Sequence, residues 1–188
     1  PLRGLGYSTL PGVADEMLET HGVAVMLHTH AVAVMTEGAR VTAVIVENKG
    51  GRRAIVPRVV IDCSGDGDVA ARAGAGYELG LAGETQYGSA MFRLGGVDTV
   101  RACQLTRPEI RECLERAVAE GYPLPRTSTG VHLNPIEGVA HLNVTKLGRP
   151  DGSPFNLVDP VELGNAEREG RRQVWMYEEA FRKYVPGF

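Results

Sequence analysis

Residues 59–75, VVIDCSGDGDVAARAGA, join a β-branched apolar run, a turn containing Gly65 and Gly67, and a run of small residues. The run Val59, Val60 and Ile61 is short, apolar and β-branched, as a buried parallel strand requires. It enters the glycine turn directly, and residues 69–73 then read as a short helix able to pack close to a sheet. Such a strand, turn and helix bring bare backbone N–H groups and the positive end of a helix to one point. That arrangement suits a phosphate or the polar edge of a cofactor, and glycine lets the ligand approach because it has no Cβ. A plainer reading uses the same residues: Asp66 or Asp68 caps the helix, and the glycines only make the turn. These residues alone leave both readings open.

The segments before this unit are of two kinds. Ser8 or Thr9 caps an expected helix in which Val13, Met17, Leu18 and His21 share one face, and Gly22 ends it. Next comes VAVML, residues 23–27, which reads as another buried parallel strand. Three extended segments follow, at 31–35, 41–47 and 52–56, separated by the turn-forming stretches EGAR and NKGG. Short turns imply an antiparallel meander set between the two buried strands.

From about Tyr77 the texture changes to glycines and polar residues, with a strand expected near 89–94, and a second domain is expected to begin here. Thr106, Pro108 and Glu109 form a capping box for a helix presenting Ile110, Cys113, Leu114, Ala117 and Val118, which Gly121 ends. Residues 130–133 and 139–144 alternate and read as a hairpin turning at NPIEG. Asp159, Pro160 and Glu162 open a last helix whose Val174, Tyr177, Phe181 and Tyr184 recur at helical spacing. The expected boundaries therefore fall near residues 77 and 159, dividing the chain into 1–76, 77–158 and the last helix, 159–188.

Composition excludes several classes. The 188 residues are 43% hydrophobic, enough for a real core, and 20 Lys and Arg stand against 23 Asp and Glu with no long block of either sign. Nothing points to a nucleic-acid or membrane surface. Cys63, Cys103 and Cys113 form no C-x-x-C and no Cys/His grouping, so reduced thiols in a cytoplasmic protein are expected and no metal site. No apolar run approaches the roughly 20 residues that a membrane span needs. The chain begins at Pro1 and stops at Phe188 just after Pro186-Gly187, and both ends are expected to be cuts within a longer protein.

The order helix, buried strand, three-stranded meander, buried strand and Gly-Asp turn resembles the later half of the FAD-binding domain of glutathione-reductase-type flavoproteins. More narrowly, IDCSGDGDVAARAGA, MFRLGGVD and GRRQVWMYEEAFRKYVPGF resemble the FAD-dependent oxidoreductase family, whose distant relatives include the fumarate reductase and succinate dehydrogenase flavoproteins. The resemblance implies an α/β fold, α+β overall: an incomplete Rossmann-like FAD/NAD(P)-binding domain with a β-meander, plus part of a mixed α+β substrate domain. It places the turn Ser64, Gly65, Asp66 and Gly67 close to FAD and the backbone of Ala31 and Val32 beside the adenine. Family members show Ala-Thr where this chain has Cys63 and Ser64, and Cys63 is read as a small packed residue. The G-x-G-x-x-G fingerprint that holds the pyrophosphate is absent from this sequence, so the chain alone is expected to lack FAD.

Other polar residues have simpler readings. His28 and His30 lie on one side of an extended segment but have no third ligand at metal spacing, so they read as structural or surface residues. His132, His141 and Arg93 fall in the expected substrate region, and each reads first as a polar strand residue. Arg168, Arg171 and Arg172 alternate with Glu167 and Glu169, as on a solvated helix face, and Trp175 reads as core. The implied function is transfer of hydride or electrons between FAD and a small organic substrate, in the parent protein rather than in this chain alone. The alternatives are a non-catalytic assembly domain and a nucleotide-binding domain on the same scaffold. The expected partners are a small-molecule substrate and a further copy of the chain in a homo-oligomer; no nucleic acid and no membrane span is expected.

Overall fold

The computed structural model describes residues 10–81, 84–133 and 136–188. They form a mixed α/β structure with two small antiparallel sheets and five helices. Two compact units are distinguished, one being Pro11–Glu84 and the other built on Thr85–Phe188. No helix among the described residues is long and apolar enough to cross a membrane.

In the first unit, α1 spans Leu10–Thr20 and stops where the sequence places Gly22. Gly22 takes φ 65°, and the N–H groups of Gly22 and Val23 bond back to the carbonyls of Glu19 and Leu18, both at 2.9 Å. These bonds use carbonyls that the helix end leaves open. Ser8 and Thr9, read as its cap, lie outside the described residues. No residue of α1 is buried.

The meander forms as its turn chemistry predicts. Strands β1 (His30–Glu37), β2 (Arg40–Asn48) and β3 (Gly51–Ile55) lie in the order β1-β2-β3, all antiparallel. Asn48 helps to shape the second turn, its Oδ1 accepting the Gly50 N–H at 2.9 Å. Ala43, Val44 and Val46 of the central strand are buried. Pairing runs Ala31 to Val46 and then Ala33 to Ile45, so Val32 is an extra residue in a bulge.

The two flanking strands are a different matter. Residues 23–27 and 59–62 pair with no strand among the described residues, and Val59 and Ile61 are 79% and 82% exposed. An apolar β-branched run becomes a buried strand only when another strand lies alongside to take its backbone groups. Here none does, so the expected parallel strands are corrected to irregular chain, with Leu27 in a turn.

In the second unit, β4 (Phe92–Gly95), β5 (Val131–Leu133) and β6 (Val139–Leu142) form a sheet in the order β4-β6-β5. A short helix α3 spans Thr99–Ala102. Helix α4, Arg107–Ala119, carries the expected capping box, with the Glu109 carboxylate accepting the Thr106 N–H at 2.7 Å. Helix α5, Pro160–Tyr184, is capped by Asp159, which accepts from Val161 and Glu162, each at 2.9 Å. Ile110, Leu114 and Ala117 of α4 meet Tyr177, Ala180 and Phe181 of α5 in one core with Leu142 and Val144. Val118 departs from the expected buried stripe and is exposed.

Two polar contacts fix α5 against irregular chain. The buried Gln173 amide accepts the Lys146 N–H and donates to the Lys146 carbonyl, both at 2.9 Å, pairing with the backbone as a strand would. The Tyr177 hydroxyl donates to the Arg126 carbonyl at 2.6 Å and accepts its N–H at 3.1 Å; burial pushes its pKa up to about 12. Trp175 is not core: it is 71% exposed, because the buried stripe runs through Gly170, Gln173, Tyr177 and Phe181, which leaves position 175 outside it.

Gly170 marks a close approach, since a Cβ there would lie 2.9 Å from the Ala90 Cβ. In an open helix Gly→Ala gains up to about 1 kcal/mol. Gly170→Ala should instead destabilise the protein by about 1–3 kcal/mol, since the clash forces backbone to move. A urea melt checks the sign, and a stabilised variant would contradict this packing.

Candidate functional site

The turn after residue 62 is organised by a residue the sequence reading passed over. Helix α2 spans Asp68–Arg72, and neither Asp66 nor Asp68 supplies its cap. Asp62 does: its Oδ2 accepts the N–H groups of Val69 at 3.0 Å and Ala70 at 2.9 Å, while its Oδ1 accepts that of Ser64 at 3.0 Å. Ser64 Oγ takes the Asp68 N–H at 3.0 Å. The spacing of Asp62 and Ser64 is that of an Asx turn, in which the carboxylate bonds the N–H two residues on. That signal was legible.

Asp62 thus satisfies the start of α2 with a charge of the chain's own. The Ala70 N–H, then the Ser64 hydroxyl and backbone N–H, hold its carboxyl down at about 2 against an ordinary 3.8. The lowered pKa makes this capping strongest above pH 3.8, and it is lost as the pH falls through about 2. In an acid titration followed by amide NMR, the Val69 and Ala70 signals should move together over that window. Asp62→Asn should abolish the step, and an unchanged step would assign it to another group.

Gly65 and Gly67 take φ 94° and 73°, a region that L side chains rarely adopt. A Cβ built on either meets no atom within 4 Å, so the turn faces open space. The N–H groups of Gly65, Asp66 and Gly67 find no acceptor among the described residues, and the Asp66 carboxylate finds no partner there. The turn therefore offers donors and one free carboxylate. The other predicted site residues, Ala31 and Val32, lie in β1, at and beside the bulge on an outer strand of the meander. Helix α2 packs beside β1 in the same unit.

Two further expectations change. Cys63 is an exposed free thiol, because residues 59–62 bury nothing that would cover it. His28 sits in a turn with φ 52°, not in an extended segment, so it does not alternate with His30 across a strand. No group of three metal-ligating side chains occurs among the described residues. Arg171 and Arg172 pair with Glu167 at 3.2 Å and Glu169 at 2.9 Å, as on a solvated helix face.

In the second unit, Arg93 on β4 and His132 on β5 both lie opposite His141 on β6. The His132 and His141 ring centres are 6.4 Å apart. Partial burial, then the nearby Arg93 and His132, hold the His141 imidazole below its ordinary pKa.

No curated protein and no solved structure matches this chain. The family model of FAD dependent oxidoreductase matches residues 7–188, a span that includes the Gly65–Gly67 turn, the meander and both sheets. The chain belongs to the FAD-dependent oxidoreductase family.

Proposed function

We propose that this chain supplies one face of an FAD site, in a protein that transfers hydride or electrons between the flavin and a small organic substrate. The observation that carries the reading is the open turn at Gly65, Asp66 and Gly67, with unanswered N–H groups and no Cβ to keep a ligand away. The residues fit a cofactor's polar edge better than its phosphate, because the Asp62 carboxylate already occupies the start of α2. Asp66, freed from capping, is placed to accept a hydrogen bond from a hydroxyl or ring N–H of the cofactor. The outer edge of β1 at Ala31 and Val32 offers backbone groups to the adenine, and the bulge turns Val32 out of the regular ladder. FAD, when bound, supplies the redox chemistry, and the protein orients it.

The second unit, built on Thr85–Phe188, holds the substrate in this reading. The test is an absorption spectrum of the full-length protein that contains this chain. Flavin bands that bleach with a reductant are the expected result; a purified, folded protein without flavin would overturn the reading. A bound nucleotide in place of flavin would overturn it as well.

A further inference from the structure

Helix α5 and the loop before it border a cleft of about 880 Å3, within the size range of small-molecule sites. Four arginines line it, Arg149, Arg168, Arg171 and Arg172, against one acid, Glu169. The loop wall is held rigidly to the start of α5. The Arg149 guanidinium donates to the Glu162 carboxylate at 2.9 and 2.8 Å and to Ser153 Oγ at 3.1 Å, and the Asn156 N–H reaches the same carboxylate at 2.8 Å. Arg149 is therefore engaged within its own wall and shapes the cleft.

The helix wall keeps free donors. Arg168 makes no ion pair among the described residues and gives one N–H to Asn165 Oδ1 at 2.6 Å. Arg172 reaches Glu169 at 2.9 Å and is 71% exposed. A guanidinium carries five N–H donors, so each arginine retains several, and exposed ion pairs of this kind are weak enough to yield to a stronger anion. Glu169 also accepts from Gln173 at 3.0 Å, so its charge is answered twice. Arg168 and Arg172 stand four residues apart, neighbours on the helix surface. Apolar surface completes the cleft: Pro150 and Phe155 line it, and Phe155, half-buried, packs into neither core of the second unit.

We propose that this cleft binds the phosphate group of a small phosphorylated molecule, Arg168 and Arg172 gripping the phosphate oxygens while Phe155 and Pro150 cover the apolar body. A planar carboxylate is matched by a single arginine fork, whereas two guanidinium groups one turn apart suit a doubly charged group with three acceptor oxygens. Lysine would supply the charge but not the fork. The site lies within the second unit, and its test reads binding without flavin, so its failure and that of the flavin reading are separate results.

The experiment is calorimetric titration of the chain with phenyl phosphate, at a pH above about 6, where a phosphate monoester is a dianion. Saturable binding is expected, with benzoate, the carboxylate of the same ring, clearly weaker. Arg168→Gln and Arg172→Gln should each weaken binding by about ten-fold or more, with Arg168→Lys in between. Arg182→Gln, which removes an arginine of α5 outside the cleft, should leave it unchanged. Phe155→Leu should weaken phenyl phosphate and spare inorganic phosphate, and a melting curve for each variant shows that the fold is kept. Benzoate binding as tightly as phenyl phosphate would overturn the phosphate assignment. A Phe155→Leu variant that bound both phosphates as before would overturn the apolar wall's part. No saturable binding of phenyl phosphate, or equal affinity in folded Arg168→Gln and Arg172→Gln, would overturn the site itself.

Discussion

Phe181→Ala should destabilise the second unit by about 3–5 kcal/mol, the range for emptying a fully buried aromatic site. Phe181 is completely buried in α5, its ring 4.8 Å from that of Phe188, and it joins the core formed with α4 and β6. Removing the ring takes away apolar burial and leaves a cavity that helices held by Gln173, Tyr177 and the Asp159 cap cannot easily close. Against a typical total of about 5–15 kcal/mol, such a loss is a large share of the stability. A urea or thermal melt followed by circular dichroism measures it. Trp175→Ala on the same helix is the contrast: 71% exposed, it should change stability by no more than about 0.5 kcal/mol. If the two variants melted alike, α5 would not be sealed into the core as described.

Gly65→Val should reduce flavin retention by about ten-fold or more in the full-length protein, with the fold kept. A Cβ at Gly65 would meet no protein atom, so no clash within the chain arises. The cost comes from φ 94°, which a β-branched residue does not tolerate; such strain is on the order of 1–3 kcal/mol. It also comes from a branched side chain in the space from which a cofactor would approach the turn. A loss of about 1.4 kcal/mol in binding corresponds to a tenfold change in affinity. Flavin per protein, measured beside a melting curve, separates lost binding from lost folding. Cys63→Ala should leave flavin content unchanged, since the thiol is exposed and caps nothing. Full flavin in Gly65→Val together with its loss in a folded Cys63→Ala would move the cofactor from the turn to the thiol.

Much of this protein was decided locally and could be read as such. The Thr106–Glu109 capping box, the Asp159 and Pro160 start of α5 and the Gly22 stop of α1 depend on residues within a turn of one another. The meander was legible because EGAR and NKGG separate three β-branched runs at hairpin spacing, and each run needs only its neighbour to complete the ladder. The glycine turn was legible for the same reason. Its organiser, Asp62, was missed because the cap is sought at Asp66 or Asp68, beside the helix, and not at an acid six residues before it.

Tertiary structure decided the rest. Residues 23–27 and 59–62 have the composition of buried strands, yet a strand is a relation between two segments, and no described residue pairs with either. The periodicity of α5 marked Tyr177 and Phe181 as core but did not show that Trp175 lies outside the buried stripe, which depends on where α4 and the loop at Lys146 press on the helix. The sequence placed Arg93, His132 and His141 in one region and His132 and His141 on one hairpin, but only the β4-β6-β5 order sets Arg93, up to 48 residues away (141 − 93), in the same row. Caps and turns are fixed by hydrogen bonds over a few residues of chain, and the sequence therefore determined them. Which faces are covered, and which distant side chains meet, follows from hydrogen bonds and packing between segments far apart in the chain, and only the folded structure supplies those.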